Sequence, residues 1–280
     1  MKKFSVITPC FNAEKLIHET ISSVTEQTVF RNGSALLEYI LCDGGSKDNT
    51  VKVAESILQQ ARNCEFRIIS GSDSGMYDAL SKGLQLITGD YCSYINAGDL
   101  YAARAFEVLS EIFTDDAIKW VTGLRVLINE SSQVVGVRLP FKFKRSFIRK
   151  GYYGQLLPFI QQESNVWRSE LNRNIDLDYL RTLKYAGDYY LWTRFAGVTD
   201  LYIAQTYLGS FRIHKGQISE NKTAYFAERK AFIQTPGISL IADLPGILHE
   251  WLYFFGDYYK AGDNKKTMIT YDHHTGSWRT

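Results

Sequence analysis

An α/β fold on a mostly parallel, Rossmann-like sheet flanked by helices, with a helical C-terminal extension, is predicted by three observations. Four short apolar runs in the first hundred residues alternate with helical patterns, as βαβ units do. Each run ends in a short loop carrying an acid, an amide or a hydroxyl, three of them with glycine. After Asp99 the pattern changes to hairpin-like runs and then to helices.

The elements follow in order. Phe4-Ser5-Val6-Ile7-Thr8 reads as a buried first strand, stopped at Pro9. Ala13 to Gln27 is a helix, because Leu16, Ile17, Ile21 and Val24 recur at helical spacing. Tyr39 to Cys42 is a second strand, and Ser46 can cap a helix whose apolar positions are Val51, Val53, Ala54, Ile57 and Leu58. Phe66 to Ile69 is the third strand. The loop holding Asp73 and Gly75 opens a helix ending at Gly89, and Tyr91 to Ile95 is the fourth strand. A helix (Ala103–Phe113) then precedes strand-like runs Lys119–Ile128 and Gln133–Leu139, joined by polar residues as in a hairpin. Val166-Trp167 reads as a strand, Asp188 to Ala196 as a helix, and Leu201–Leu208 and Gly209–Ile213 as strands. The remaining residues look helical, punctuated by Pro236 and Pro245, before an irregular polar tail. The expected division is a catalytic domain over 1–232 and a helical extension and tail over 233–280.

Composition bounds the chemistry. With 45% hydrophobic and 22% charged residues, the 280-residue chain is an ordinary globular protein. A net charge of +2, spread along the chain, gives no nucleic-acid signature. Cys10, Cys42, Cys64 and Cys92 form no C-x-x-C pair, and three of them fall in or beside apolar runs, which argues against disulfides and zinc. No run reaches the roughly 18 apolar residues of a membrane span, and the N-terminus lacks a signal-like apolar core. A cytoplasmic location is expected. One acid-free segment, Ser131–Gln162, carries Arg138, Lys142, Lys144, Arg145, Arg149 and Lys150 interleaved with Phe141, Phe143 and Phe147. It reads as a solvated face, or as a surface over 138–150 that adsorbs to anionic lipid at the inner face of a membrane. The C-terminal Leu248, Trp251, Leu252, Tyr253, Phe254 and Phe255 would extend that surface, or pack on the domain or a second copy.

In an open α/β sheet the ligand crevice lies outside the carboxyl ends of the strands. Four loops fall there: Pro9-Cys10-Phe11-Asn12, Asp43-Gly44-Gly45-Ser46, Ser72-Asp73-Ser74-Gly75 and Asn96-Ala97-Gly98-Asp99. Each alone is ordinary turn chemistry; together they describe one polar crevice. Asp78 and Lys82, four apart on a helix, form a surface ion pair or line that crevice. Asp188 opens an aromatic-rich helix, where an acid stabilises the helix dipole or serves as a base. Glu163 and Arg168 flank a strand and could form a buried pair. His214 is a structural histidine or a ligand.

The strings V-I-T-P-C-F-N (6–12), D-G-G-S-K-D-N-T (43–50), D-S-G-M-Y-D-A-L-S-K-G (73–83) and Y-I-N-A-G-D (94–99) resemble those of the family 2 glycosyltransferases, inverting nucleotide-sugar-dependent enzymes with the GT-A fold. A looser likeness continues through Q-E-S-N-V-W-R-S-E-L (162–171) and Y-A-G-D-Y-Y-L-W (185–192) to F-R-I-H (211–214). The resemblance implies that Pro9, Phe11 and Asn12 border the nucleotide, that Asp43 hydrogen-bonds its base, and that Asp73 and Gly75 close the pocket from the other side. Asp78, Lys82 and Asn96 would line the donor sugar, and Glu163 and Arg168 the acceptor side. Asp99 would hold a divalent cation (Mn²⁺ or Mg²⁺) against the diphosphate, with His214 as a second ligand, although Gly98 stands where many relatives carry a second acid. Asp188 matches the catalytic base. The implied donor is a UDP-, GDP- or dTDP-sugar, and the implied acceptor a glycan, lipid-linked in bacterial surface polysaccharide synthesis. A sugar nucleotidyltransferase would need a Gly-rich basic loop after the first strand, which Thr8–Ala13 does not offer. A binding module that has lost catalysis is the non-enzymatic alternative, and Gly98 is its best support.

Overall fold

The computed structural model describes residues 1–140, 142–234, 239–255 and 267–280, with the side chains of 239 and 252–255 outside that set. Phe141, Pro236 and the side chains of Leu252, Tyr253, Phe254 and Phe255 therefore lie outside the described residues.

The first half alternates as its sequence predicts: β1 (Lys2–Cys10), α1 (Ile17–Thr25), α2 (Thr28–Arg31), β2 (Ala35–Asp43), α3 (Thr50–Leu58), β3 (Cys64–Ser70), α4 (Met76–Leu84) and β4 (Tyr91–Tyr94). β5 (Leu100–Tyr101), α5 (Ala105–Ile112), β6 (Trp120–Thr122) and the hairpin β7 (Arg125–Ile128) and β8 (Val134–Arg138) follow. Then come α6 (Arg145–Arg149), β9 (Val166–Arg168), α7 (Leu177–Leu180), α8 (Gly187–Ala196), β10 (Tyr202–Ala204) and β11 (Gly209–Arg212). The chain closes with α9 (Lys222–Arg229), α10 (Ser239–Phe255), β12 (Met268–Asp272) and β13 (Ser277–Arg279).

Among the described residues the main sheet has nine strands in the order β13-β12-β10-β6-β9-β4-β1-β2-β3. β4, β1, β2 and β3 are parallel neighbours, so their carboxyl ends share one edge. A smaller sheet, β5-β11-β7-β8, stands beside that edge. Alternation along the strands divides the core. Phe4 and Val6 of β1 and Leu37, Tyr39 and Leu41 of β2 pack with α1, α3 and α5 on one face. Ile7, Ile40 and Cys42 pack with α4, α6 and α8 on the other, where Trp120 stacks on Trp192 at 5.3 Å.

Several expected boundaries move for identifiable reasons. β1 continues through Pro9 to Cys10 because the neighbouring β4 pairs only with Phe4–Ile7, so the missing proline N–H interrupts no ladder. α1 starts four residues later than expected and α3 three, since the residues before them bind each other across the loops. Pro245 lies inside α10 rather than between helices. Its ring leaves the carbonyl of Ile241 unbonded, and Ile241 is 73% exposed, so water can serve that carbonyl. The polar tail is not irregular: β12 runs parallel to β10 and forms an antiparallel pair with β13, extending the main sheet.

The basic segment is not a free cationic face. Lys144 pairs with Glu250 at 2.7 Å and Lys150 with Asp243 at 2.5 Å, both acids from α10. Arg145 donates to the carbonyls of Ala196 and Gly197 at 2.8 and 2.7 Å. α10 thus turns its acids inward, and its outer face presents Ile241, Leu244 and Leu248. No helix among the described residues is long and apolar enough to cross a membrane. The four cysteines are free thiols, with Cys10, Cys42 and Cys92 buried as expected.

Candidate active site

Backbone donors staple the loops at the strand ends together. Asn12 N–H donates to Ser46 Oγ and Ala13 N–H to Thr50 Oγ1, both at 2.7 Å, while Lys47 N–H donates to Asn12 Oδ1 at 2.9 Å. Glu14 N–H reaches Asp48 Oδ2 at 3.1 Å. Pro9 is buried inside β1, whereas Phe11 and Asn12 are exposed beside it, Asn12 in the left-handed region at φ +47°.

Asp43 is 3% exposed, and its own surroundings fill both its oxygens. It accepts from Gly45 N–H (3.2 Å), Ser46 N–H (3.1 Å), Ser46 Oγ and Ser70 Oγ (2.6 Å). These contacts fix the shape of the Asp43–Ser46 loop, and Asp43 stands in the wall of the cleft beside it. Asp73 approaches so closely that a side chain at Gly44 would meet its Oδ2 at 2.9 Å. Asp43, Ile69, Gly71, Ser72, Asp73 and Lys82 line a cleft of about 100 Å³. Burial raises the carboxyl of Asp73, against the Gly75 N–H at 3.0 Å and the nearby Lys82.

Asp78 and Lys82 do form an ion pair, at 3.3 Å, and Lys82 also lines the cleft. Burial opposes the charge of Asp78, but the Ser74 N–H and Lys82 outweigh it and hold the carboxyl below its usual range. Asn96 donates to Gln162 Oε1 at 3.1 Å, and its Oδ1 is buried without a donor.

Asp99 is 4% exposed. Its Oδ1 accepts from Arg212 N–H at 2.9 Å, and Arg212 Nε donates to the Gly98 carbonyl at 2.6 Å. Burial pushes its carboxyl up to about 7, against the pull of Arg212 and Asn96. Gly98 has a structural reason to be glycine: its φ is +110°, and a Cβ would meet Leu16 Cδ1 at 3.2 Å. Restoring an acid by Gly98→Asp should therefore destabilise the chain by about 1–3 kcal/mol without adding a ligand. Denaturant titration would read the loss, and unchanged stability would contradict it.

Glu163 is 1% exposed, and neither carboxylate oxygen has a hydrogen-bond partner among the described residues. Burial, and then the charge of Asp99, push its carboxyl well above the usual range. Arg168 does not join it. Arg168 sits opposite Tyr91, at the start of β4 and so at the far end of the sheet. There it pairs with Asp116 at 3.0 Å, donates to the carbonyls of Phe113, Asp115 and Ile118, and covers the rings of Tyr91 and Phe113. That placement corrects both the acceptor-side reading and the buried-pair reading of Arg168. His214 is half-buried, its N–H bound to Gln217 Oε1 at 2.9 Å and its Nδ1 3.2 Å from the Lys215 carbonyl. No group of three acidic, histidine or cysteine side chains converges on a cation site among the described residues.

Asp188, at the start of α8, is half-buried against α4 and α9. Its Oδ1 accepts from Tyr189 N–H at 2.6 Å and from Tyr77 Oη at 3.5 Å, and the Tyr225 hydroxyl faces the carboxylate. The Tyr77 ring lies so close over Gly187 that a Cβ there would meet it at 2.4 Å. Burial pushes the Asp188 carboxyl up to about 6 despite these donors and the charge of Arg229. Tyr77 stands in the first turn of the helix that follows the Asp73–Gly75 loop, and Glu163 feels the charges of both Asp99 and Asp188. Asn96, Asp99, Glu163 and Asp188 therefore lie in one region, which the helix after the Asp73 loop borders through Tyr77.

Several residues of this region gave little or no sequence signal. Gln162 and Arg212 stood inside quoted strings but carried no role there. Tyr77, Tyr225, Glu228 and Arg229 look like ordinary positions of amphipathic helices.

A profile described as Glycosyl transferase family 2 matches residues 5–175. The chain belongs to glycosyl transferase family 2. An uncharacterized glycosyltransferase of Rickettsia typhi is 26% identical over 231 residues, covering 81% of this chain and 69% of that protein. Among solved structures, residues 1–349 of Staphylococcus aureus TarS with UDP-GlcNAc superpose with a TM-score of 0.60 at 14% identity, over 94% of this chain and 77% of that one. A Pyrobaculum calidifontis mannosyltransferase with GDP-Man and Mn²⁺ gives 0.56 at 17% identity, over 90% and 69%. These likenesses show that this family 2 member has the GT-A glycosyltransferase fold. The chain spans only half of the longer TarS chain. The family match ends before Asp188, so the half of the region built from α8 and α9 lies beyond it.

Proposed function

We propose that this glycosyltransferase moves a sugar from a nucleoside-diphosphate donor to a hydroxyl of a glycan acceptor, with inversion at the anomeric carbon. The observation that carries this reading is Asp188: a carboxylate at a helix start, raised to about 6, beside Tyr77 of α4 and near enough to Glu163 for that acid to feel both its charge and that of Asp99. A base of that pKa is ionised at neutral pH and still basic enough to take a proton as a hydroxyl attacks. In the displacement the acceptor oxygen bonds to the anomeric carbon and gives its proton to Asp188. The bond from that carbon to the diphosphate breaks, and the nucleoside diphosphate leaves. Phe11 and Asn12 would flank the nucleoside, with Asp73 and Gly75 across from them, and Lys82 and Asn96 would face the sugar.

The donor chemistry at the end of β4 fits a hard divalent cation, because Asn96 Oδ1 and both Glu163 oxygens are buried acceptors without donors near Asp99. Asp99 would hold it, with His214, which follows β11, as second contributor and the diphosphate completing the coordination. Bound there, Mn²⁺ or Mg²⁺ would neutralise charge on the departing diphosphate. The lipid-linked acceptor of surface polysaccharide synthesis remains the expected acceptor class. The apolar outer face of α10 supports a position at a membrane surface better than the basic segment does.

A thermal-shift panel of UDP-, GDP- and dTDP-sugars with and without Mn²⁺, followed by assay of nucleoside diphosphate release with acceptors, tests this reading. One donor should raise the melting temperature, since a ligand that binds only the folded state stabilises it. Binding without release across the acceptors tried would point to a non-catalytic module. In Asp99→Asn the Mn²⁺-dependent part of the shift should disappear while the metal-free part persists. A Mn²⁺ increment equal to that of the native chain would remove Asp99 from the cation site.

A further inference from the structure

Asp188 lacks a local cap: the residue before α8 is Ala186, which offers no side-chain acceptor to the helix start. The free backbone donors there are served from another helix. Glu228 of α9 accepts from Lys184 N–H at 2.7 Å through one oxygen, and from Tyr185 and Ala186 N–H at 2.8 and 2.6 Å through the other. All three are charge-assisted contacts to the backbone that delivers Asp188. Tyr225, three residues earlier on the same helix face, turns its hydroxyl toward the Asp188 carboxylate itself. Arg229, next to Glu228, is locked between the Tyr189 and Phe226 rings at 4.9 and 4.8 Å and donates to the Tyr153 carbonyl at 2.7 Å. One face of α9 thus faces both the backbone before Asp188 and its side chain, although α9 lies more than forty residues beyond the family match.

We infer that α9 is a positioning clamp for the base, with Glu228 setting where Asp188 stands and Tyr225 setting how its carboxylate points. The inference rests on the reading of Asp188 as the base. The charged and titratable groups facing Asp188 are Tyr77 from α4, Tyr94 from β4, Glu163 from the segment before β9, and Tyr225 and Arg229 from α9. Of these, the hydroxyls of Tyr225 and Tyr77 and the charge of Arg229 favour the ionised carboxylate, so removing the hydroxyl of Tyr225 moves the titration of Asp188 upward.

The test compares Glu228→Gln, Tyr225→Phe and Asp188→Asn with the native chain, using the nucleotide-sugar found by thermal shift. In Glu228→Gln, kcat should fall by about 10- to 100-fold, the scale of a small misplacement of a catalytic group, with donor KM unchanged. In Tyr225→Phe the acid limb of the kcat profile, and the carboxyl titration of Asp188 followed by ¹³C NMR, should move to higher pH. If Asp188→Asn is inactive while both α9 variants keep native kcat and native titration, the clamp is wrong and the base stands. If Asp188→Asn keeps native kcat, the base reading itself fails. A lowered melting temperature in Glu228→Gln with native kcat would mark a merely structural contact and also overturn the clamp.

Discussion

Asp188→Asn should reduce transfer by about 100- to 10,000-fold, the usual weight of a general base, while nucleotide binding persists. The amide keeps the shape and can still accept from Tyr189 N–H, but it cannot take a proton. In the native chain kcat should fall as pH drops through about 6, where Asp188 becomes protonated. The same substitution should stabilise the fold at alkaline pH. A carboxyl whose folded pKa lies above its unfolded value favours folding below pH 4 and opposes it increasingly as pH rises to about 6. The amide carries no such burden, so the variant should gain on the order of 1–3 kcal/mol at pH 8 and little at pH 4. Denaturant titrations at the two pH values check this. Equal stability at both would mean that burial does not strain Asp188.

Gly209→Ala should have the largest effect on stability. At the start of β11 a Cβ would stand 2.3 Å from the Glu163 carbonyl oxygen and 2.8 Å from its carbonyl carbon. Backbone on both sides is held by pairing, Gly209 with Tyr101 of β5 and the Glu163 segment through Gln162 to Asn96. Neither side can yield as the tip of a side chain would, so the strand must move. A cost of about 3 kcal/mol or more is expected, the top of the overpacking range. The displacement also pulls Arg212 away from Asp99 and Glu163 away from both acids, so cation-dependent shifts should weaken together with stability. A denaturation midpoint matching the native chain would show that β11 and the Glu163 segment do not meet as closely as this.

The donor half was legible because its signals are local. Strand, turn and helix start follow one another closely at Asp43, Asp73 and Asp99, so each loop announces itself within a short stretch of sequence. What failed was local as well. Pro9 looks like a stop because pairing on the β4 side is invisible in a single strand. The polar tail looks irregular because β12 depends on β10, more than sixty residues away. Arg168 misled through its string: its neighbours match, but the short β9 points it toward the opposite end of the sheet. Glu228 could not be found at all, since its three partners lie more than forty residues earlier and are backbone groups without identity. Charge runs deceived most plainly at Lys144 and Lys150, whose counter-charges lie about a hundred residues downstream on α10.

The hairpin of β12 and β13 has one consequence for the protein in solution. β10 is a three-residue strand whose outer side would otherwise offer unsatisfied N–H and C=O groups to any passing chain. β12 occupies that side, Ile269 enters the core, and Trp278 N–H is fixed to Glu111 at 2.8 Å, leaving as the new margin a short strand ending in Arg279. The last fourteen residues thus serve as a guard against edge-to-edge aggregation, a duty independent of sugar transfer that makes the C-terminus a poor place to trim.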